Sequence, residues 1–236
     1  MGEAPSTLPV VCLPGIRGDS RIFEPFAAAA VTRPVVLLDL PAGAPAVAAA
    51  RLRDQLPSGP FHVVTGSFGG LVARFLPASQ LVSLACIGTL PSPTHLDPGM
   101  ARRAHLLMAL PDRVLESLYA RHSRRSFAQE GLPPALIARL LDRPLAASVL
   151  RGRLRSVLGG HHGHVPACPV MWLHGAHDAQ VRWSVEALQR AVPHATVLQT
   201  PGAHFPHASH PVALWSALAR DWWPRHPGPA SALPSQ

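Results

Sequence analysis

The chain has no lysine: all 21 of its cationic side chains are arginine. That removes any Walker-type phosphate loop, whose Gly-Lys-Ser/Thr step needs the lysine. Cysteine is scarce as well. Cys12, Cys86 and Cys168 are too few for a disulfide framework, and each lies in or beside an apolar stretch. Buried thiols in a reducing, cytoplasmic compartment are therefore expected. No uninterrupted apolar run of about 18 residues occurs, so no membrane span is expected. The opening MGEAPSTLPV lacks the basic start and apolar stretch of a secretory leader. Charge is sparse, at 14% of residues against 47% apolar, with a mean hydropathy of +0.17. That balance excludes a disordered chain and leaves material for a large core. The length, 236 residues, suits one α/β domain with an insertion.

The net charge of +8 is unevenly placed. Eleven of the 21 arginines fall between Arg102 and Arg155, where the acids are only Asp112, Glu116, Glu130 and Asp142. Arginine without lysine, together with 27 prolines, reads as the coding bias of a GC-rich genome, and no nucleic-acid partner is expected.

Short apolar runs bounded by Pro or Gly predict strands at 10–13, 35–38, 61–65, 81–88, 170–173 and 196–198. Helical spacing falls between them, at 21–31, 46–55, 71–78, 184–191 and 211–222. Such alternation implies a mostly parallel sheet buried on both faces. The block 91–165 has no strand-like run and predicts four helices, at 101–110, 113–127, 134–141 and 146–158. The expected organisation is a core of 1–90 and 166–223, an all-helical insertion at 91–165, and a Pro-, Ser- and Ala-rich disordered tail at 224–236.

The third predicted strand runs into Val64-Thr65-Gly66-Ser67-Phe68-Gly69-Gly70 and then directly into a helix. A strand that becomes a helix through one residue strains that residue, and small neighbours let the two elements approach. The strain lifts the Ser67 hydroxyl above the sheet edge, where a helix N-terminus offers free N–H groups. A serine so placed needs a base, itself oriented by a carboxylate.

At these residues the sequence resembles the α/β-hydrolase superfamily, whose elbow reads small-x-nucleophile-x-small. Thr65, Ser67 and Gly69 fill those places, with Thr where Gly is more usual. His174-Gly175-Ala176-His177-Asp178-Ala179-Gln180-Val181 resembles the family's H-G-x-x-D-x-x-V segment, and Gly202-Ala203-His204-Phe205 its G-H-F loop. The resemblance implies Ser67 as nucleophile, His204 as general base and Asp178 as the orienting acid, in the family's chain order. Asp97 is the alternative acid. Two backbone N–H groups should stabilise the oxyanion. Phe68 supplies one; Ile16, in the 14–18 loop that resembles the family's H-G-x segment with Pro14 replacing His, supplies the other.

The insertion falls where this superfamily carries its cap. Its apolar residues Leu106, Leu107, Leu110, Leu115, Leu118 and Tyr119 suit an acyl chain, although most must pack the cap itself, and its arginines suit an acidic carrier protein. Short length, a four-helix cap and the S-F-G-G elbow are similar to pimeloyl-carrier-protein methyl ester esterases and to small bacterial carboxylesterases. The implied activity is a cofactor-free serine esterase. A thioesterase with the same residues and a non-catalytic binding protein on the same fold remain alternatives. No metal is expected: His161, His162 and His164 have no carboxylate or cysteine at ligand spacing, and His207 and His210 are expected to be bystanders. Trp215, Trp222 and Trp223 read as packing residues with one exposed end.

Overall fold

The computed structural model describes residues 8–91, 98–159, 163–178, 180–181 and 184–228. Its centre is a six-stranded sheet in the order β2-β1-β3-β4-β5-β6, with every pair parallel. The strands are β1 (Val10–Leu13), β2 (Val35–Leu37), β3 (Phe61–Gly66), β4 (Leu81–Ile87), β5 (Val170–Gly175) and β6 (Thr196–Thr200). Each expected strand is present, five of them shifted by one to two residues at the C-terminal end.

Alternate residues of the strands feed two cores. Val11, Leu13, Val63, Leu84 and Trp172 pack on one face against α2 (Pro45–Leu52), α3 (Phe68–Ala73) and α8 (Val185–Ala191). Val10, Cys12, Val64, Ala85 and Leu173 pack on the other, against α1 (Glu24–Ala29) and α10 (Pro211–Ala217). Burying one such Leu, Val or Phe side chain contributes about 1.5–3 kcal/mol, which is why near-continuous apolar strands settle between two helical layers. Trp215, Trp222 and Trp223 belong to this second core and are all buried, so the exposed ends expected for them are absent. The indole N–H of Trp222 donates to Ser83 at 3.2 Å.

Between β4 and β5 the chain forms α4 (Pro98–Met108), α5 (Asp112–Gln129), α6 (Pro134–Leu141) and α7 (Ala147–Leu158). Leu115, Ala147 and Leu150 make a small core inside this insertion, while Phe127, Leu136, Ile137 and Leu140 join the second core of the sheet.

Helix ends differ from expectation for identifiable reasons. The first predicted helix begins as a 3-10 turn (Ser20–Phe23) capped by the Asp19 carboxylate, and α1 follows with Pro25 in its first turn. Helix α3 starts at Phe68 rather than 71, because Gly69 and Gly70, poor helix formers, are recruited for close packing. The predicted last helix ends at Ala217 and continues as a π turn (Leu218–Trp222). Of the tail expected from Pro224, residues up to 228 are described; Trp223–Arg225 forms a 3-10 turn, and 229–236 lie outside the described residues. No helix among the described residues is long and apolar enough to cross a membrane.

The strand order places the site. From β1 the chain moves outward to β2, then returns past β1 to β3 and proceeds the other way. The direction reverses between β1 and β3, and the loops leaving their C-terminal ends splay apart into a crevice where ligands of such sheets bind. The 14–18 loop and Ser67 both emerge there.

Candidate active site

Ser67 has φ 46° and ψ −112°, and among the described residues it alone combines a positive φ with a side chain. Such a conformation costs about 1–3 kcal/mol and persists only where the surroundings over-determine it. Here they do. The Ser67 N–H donates to the Ile87 carbonyl at 2.7 Å, and its carbonyl accepts from the Thr89 hydroxyl at 2.9 Å. A Cβ on Gly69 would lie 2.5 Å from the Leu13 carbonyl oxygen, and one on Gly70 would lie 2.3 Å from the Thr89 hydroxyl oxygen. The glycines therefore let α3 press against β1 and Thr89 at once, and this pressure fixes the turn.

The 14–18 loop lies beside the serine, with a Gly15 Cβ position 3.3 Å from Ser67 Cβ. Two arginines hold it, one reaching in from the insertion and one reaching out from the loop itself. Arg153 of α7, almost fully buried, donates to the carbonyls of Ile16 at 2.6 Å and Leu40 at 2.7 Å. Arg17 donates to the carbonyls of Leu140 and Arg143 in the insertion, at 2.7 and 2.9 Å. Phe68 opens α3, so its N–H has no intrahelical partner. The expected donors Ile16 and Phe68 thus flank Ser67 on the two converging loops.

His204 and Asp178 come from the loops after β6 and β5. His204 Nδ1 lies 2.9 Å from Asp178 Oδ2, and both side chains are buried. The other oxygen of Asp178 accepts the N–H groups of Gln180 at 2.8 Å and Val181 at 3.0 Å. Burial pushes the Asp178 carboxyl up, but His204 and these N–H groups outweigh it and hold it below the ordinary carboxylate value. Burial likewise lowers His204; the Asp178 charge and hydrogen bond, with the charge of Glu130, prevail and raise it. With Nδ1–H committed to the carboxylate, Nε2 is the atom free to accept a proton.

Ser67 and His204 line one cavity of about 100 Å³, together with Gly15, Ile16 and residues of α5. Among the described residues no hydrogen bond joins the serine hydroxyl to the imidazole: the structure brings His204 to Asp178 directly and to Ser67 across a shared cavity. Asp97 lies outside the described residues, as do His161 and His162. His210 pairs with the Ser209 hydroxyl. His207 is buried and stacks on Phe23 at 4.1 Å, with neither ring nitrogen hydrogen-bonded among the described residues. No group of three metal-ligating side chains occurs among the described residues.

One expectation about the insertion changes. Of the apolar residues assigned to an acyl chain, only Tyr119 lines the cavity; Leu115 packs inside the insertion, and Leu106 and Leu118 face solvent at 70% and 40% exposure. The α5 face turned to the cavity instead carries Tyr119, Ser123, Ser126 and Phe127, at helical spacing. Sequence reasoning also passed over Thr89, Arg153 and Glu130. The Glu130 carboxylate accepts backbone N–H groups of three consecutive residues: Ala203 at 3.3 Å, His204, and Phe205 at 3.2 Å. The only sequence signal for it is its position eleven residues after Tyr119, on the same helical face.

A comparison with curated protein sequences returns no match. Solved structures match over nearly the whole chain. An esterase from Thermogutta terrifontis, with malate bound, is 19% identical with a TM-score of 0.69, covering 94% of this chain and 92% of its own. The type II thioesterase BorB of the borrelidin cluster is 20% identical, TM-score 0.62, covering 92% and 93%. The Bottromycin epimerase BotH, in complex with Bottromycin A2, is 15% identical, TM-score 0.67, covering 92% and 91%. At these identities the likeness shows the fold alone, and the fold carries esterase, thioesterase and epimerase. The sequence pattern is more specific: a profile of the alpha/beta hydrolase family matches residues 10–217, from the first residue of β1 to the last of α10. The strained serine after β3 and the histidine–aspartate pair after β6 and β5 thus sit within the matched region, and the chain belongs to the alpha/beta hydrolase family.

Proposed function

We propose that the chain is a cofactor-free carboxylic ester hydrolase in which Ser67 is the nucleophile, His204 the general base and Asp178 its orienting acid. The observation that carries this reading is the strained Ser67 on the wall of the cavity that His204 also lines, with His204 Nδ1 hydrogen-bonded to Asp178. A side-chain rotation on substrate binding closes the serine–histidine contact, as catalytic hydrogen bonds often tighten only in the complex. Nε2 then takes the Ser67 proton while the oxygen attacks the acyl carbon. The oxyanion rests on the Ile16 and Phe68 N–H groups, each worth on the order of 3 kcal/mol in the transition state. His204 returns the proton to the departing alcohol, leaving an acyl-serine. Water, deprotonated by the same imidazole, attacks the acyl carbon and frees the acid and Ser67.

A cavity of about 100 Å³ that opens to solvent accommodates at least a short acyl group. The four-helix insertion serves as its cap. A thioester reading is the second choice; the thioesterase among the similar structures and the outward arginines support it. Arg102, Arg103, Arg113, Arg121, Arg124 and Arg125 are all exposed on α4 and α5, a surface suited to an acidic carrier of the acyl chain. The cysteines are free, with burial pushing Cys86 and Cys168 up to about 11, which fits a cytoplasmic setting.

A fluorophosphonate should label the native protein once, on the Ser67 peptide, and p-nitrophenyl esters should be hydrolysed best with short acyl chains. Labelling elsewhere, or none, overturns the assignment and favours a receptor or non-hydrolytic enzyme on this fold. Added salt should depress turnover of carrier-bound esters steeply and of small esters little; an equal response removes the carrier.

A further inference from the structure

Glu130 stands at the C-cap of α5, with helical φ −81° and ψ −2°. A carboxylate is poorly placed there, because the last turn of a helix presents unpaired carbonyls and a negative dipole end. It makes no ion pair with any of the insertion's arginines among the described residues. Its partners are the N–H groups of Ala203, His204 and Phe205. These are charge-assisted bonds to the backbone of the very loop that carries the imidazole. The residue therefore gives up a favourable electrostatic position to reach across from the insertion to the loop after β6.

We infer that Glu130 is a positioning residue for His204, tying the insertion to the base so that whatever engages α5 also sets the imidazole. The inference rests on the ester hydrolase reading for its catalytic part and on the three hydrogen bonds for its structural part. Tyr119, Ser123 and Ser126 precede Glu130 by eleven, seven and four residues on one face of α5, and all three line the cavity. Substrate that presses on this face acts on a rigid helix whose end grips the His204 backbone. The carboxylate also contributes charge. The titratable groups around His204 are Asp178 and His174 from β5 and its loop, Glu130 and His122 from α5, and His207 from the short helix α9 (Pro206–Ser209). Of these only Asp178 and Glu130 favour the imidazolium.

The test compares Glu130→Gln and Glu130→Asp with the native chain, in turnover of a short p-nitrophenyl ester across pH, in thermal melting, and in amide hydrogen exchange of residues 203–205. Glu130→Gln should lower kcat about 10- to 100-fold, the scale of a displaced catalytic group, with KM nearly unchanged. Without the anion the imidazole stays neutral to lower pH, so the acid limb of kcat/KM should move to lower pH. Glu130→Asp, which keeps the charge, should leave that limb in place and recover part of kcat. The 203–205 amides should exchange roughly tenfold faster or more in Glu130→Gln. Native kcat and an unmoved limb in Glu130→Gln overturn the inference, as does a loss that follows the melting temperature and is not recovered by Asp. If the native chain hydrolyses no ester at all, the enzyme reading fails and the catalytic part of the inference with it, whereas unchanged amide exchange refutes the clamp by itself.

Discussion

Ser67→Ala is expected to lose roughly a millionfold in kcat toward whatever ester the native chain hydrolyses, the scale on which removing a nucleophile that works as a unit with its base is felt. The serine hydroxyl is held on the cavity wall by a backbone conformation that the chain would not adopt unaided, and the imidazole opposite has Nδ1 already committed to Asp178. Nothing else among the described cavity-lining residues offers a hydroxyl raised on a strained turn. Ser67→Gly is the companion variant. Glycine adopts φ 46° without steric penalty, so this protein should be as inactive as the alanine variant yet more stable by about 1 kcal/mol, the lower end of such strain. Denaturant melts of the three proteins, beside their kinetics, check both halves. A Ser67→Ala chain that retains turnover removes the nucleophile assignment, and a Ser67→Gly chain less stable than the native one shows that the turn stores less strain than the roughly 0.5–1 kcal/mol that glycine's extra unfolded-state freedom costs.

The second large effect is structural. A Cβ added at Gly175 would lie 1.8 Å from the Ala203 carbonyl oxygen and 2.7 Å from its carbon. Both obstacles are backbone, so no side chain can swing aside. The two loops are also laced together: Ala176 donates to the Thr200 carbonyl at 3.0 Å and His177 to the Gly202 carbonyl at 3.1 Å. Gly175→Ala must therefore pry the end of β5, which leads to Asp178, from the segment that leads to His204. Overpacking of this kind costs on the order of 3 kcal/mol or more. At roughly 2–4 °C per kcal/mol for a chain of this size, the melting temperature should fall by about 6–12 °C. Activity should fall further than stability, because the separation opens the 2.9 Å contact between the pair. Gly152→Ala is the control. No atom lies within 4 Å of its Cβ position in α7, so it should stabilise the helix by about 0.5–1 kcal/mol. Equal melting temperatures for Gly175→Ala and the native chain would show that the two loops have room to part without cost.

The parts of this structure readable from sequence are those set by local pattern. Strands buried on both faces declare themselves as apolar runs, and a helical block without such runs is equally plain. The serine, aspartate and histidine loops were legible because each follows a strand and carries its own small residues. What escaped depends on partners distant in the chain. Thr89 matters because its hydroxyl meets a carbonyl 22 residues earlier, and Arg153 because it reaches Ile16 across the fold. Glu130 looked like one more acid in an arginine-rich block. Which cap residues line the cavity is unreadable for a related reason: hydrophobicity does not distinguish Leu106 and Leu118 from lining residues, whereas the rotation of α4 and α5 about their own axes turns them to solvent and points two serines inward. Leu71 looked like a helix start because propensity counts Gly69 and Gly70 against a helix, whereas packing against Leu13 and Thr89 requires them in one.

His207, stacked on Phe23 beneath the serine turn, has a counterpart in His62 on β3, which is equally buried, pairs with the Ser83 hydroxyl and lies against the Trp223 ring. Burial, with the charge of His204 in one case and of Arg33 and His226 in the other, pushes both down to about 3 from an ordinary 6.5. Between those values the unfolded chain binds protons that the native one refuses, so stability must decline as the solution is acidified through that window. The protein should therefore lose its fold on mild acidification, before most of its carboxylates have titrated, and His62→Gln or His207→Gln should each flatten the fall of melting temperature below neutral pH. A core built with two imidazoles where hydrocarbon would serve should tie the molecule to near-neutral surroundings, independently of any chemistry in the cavity.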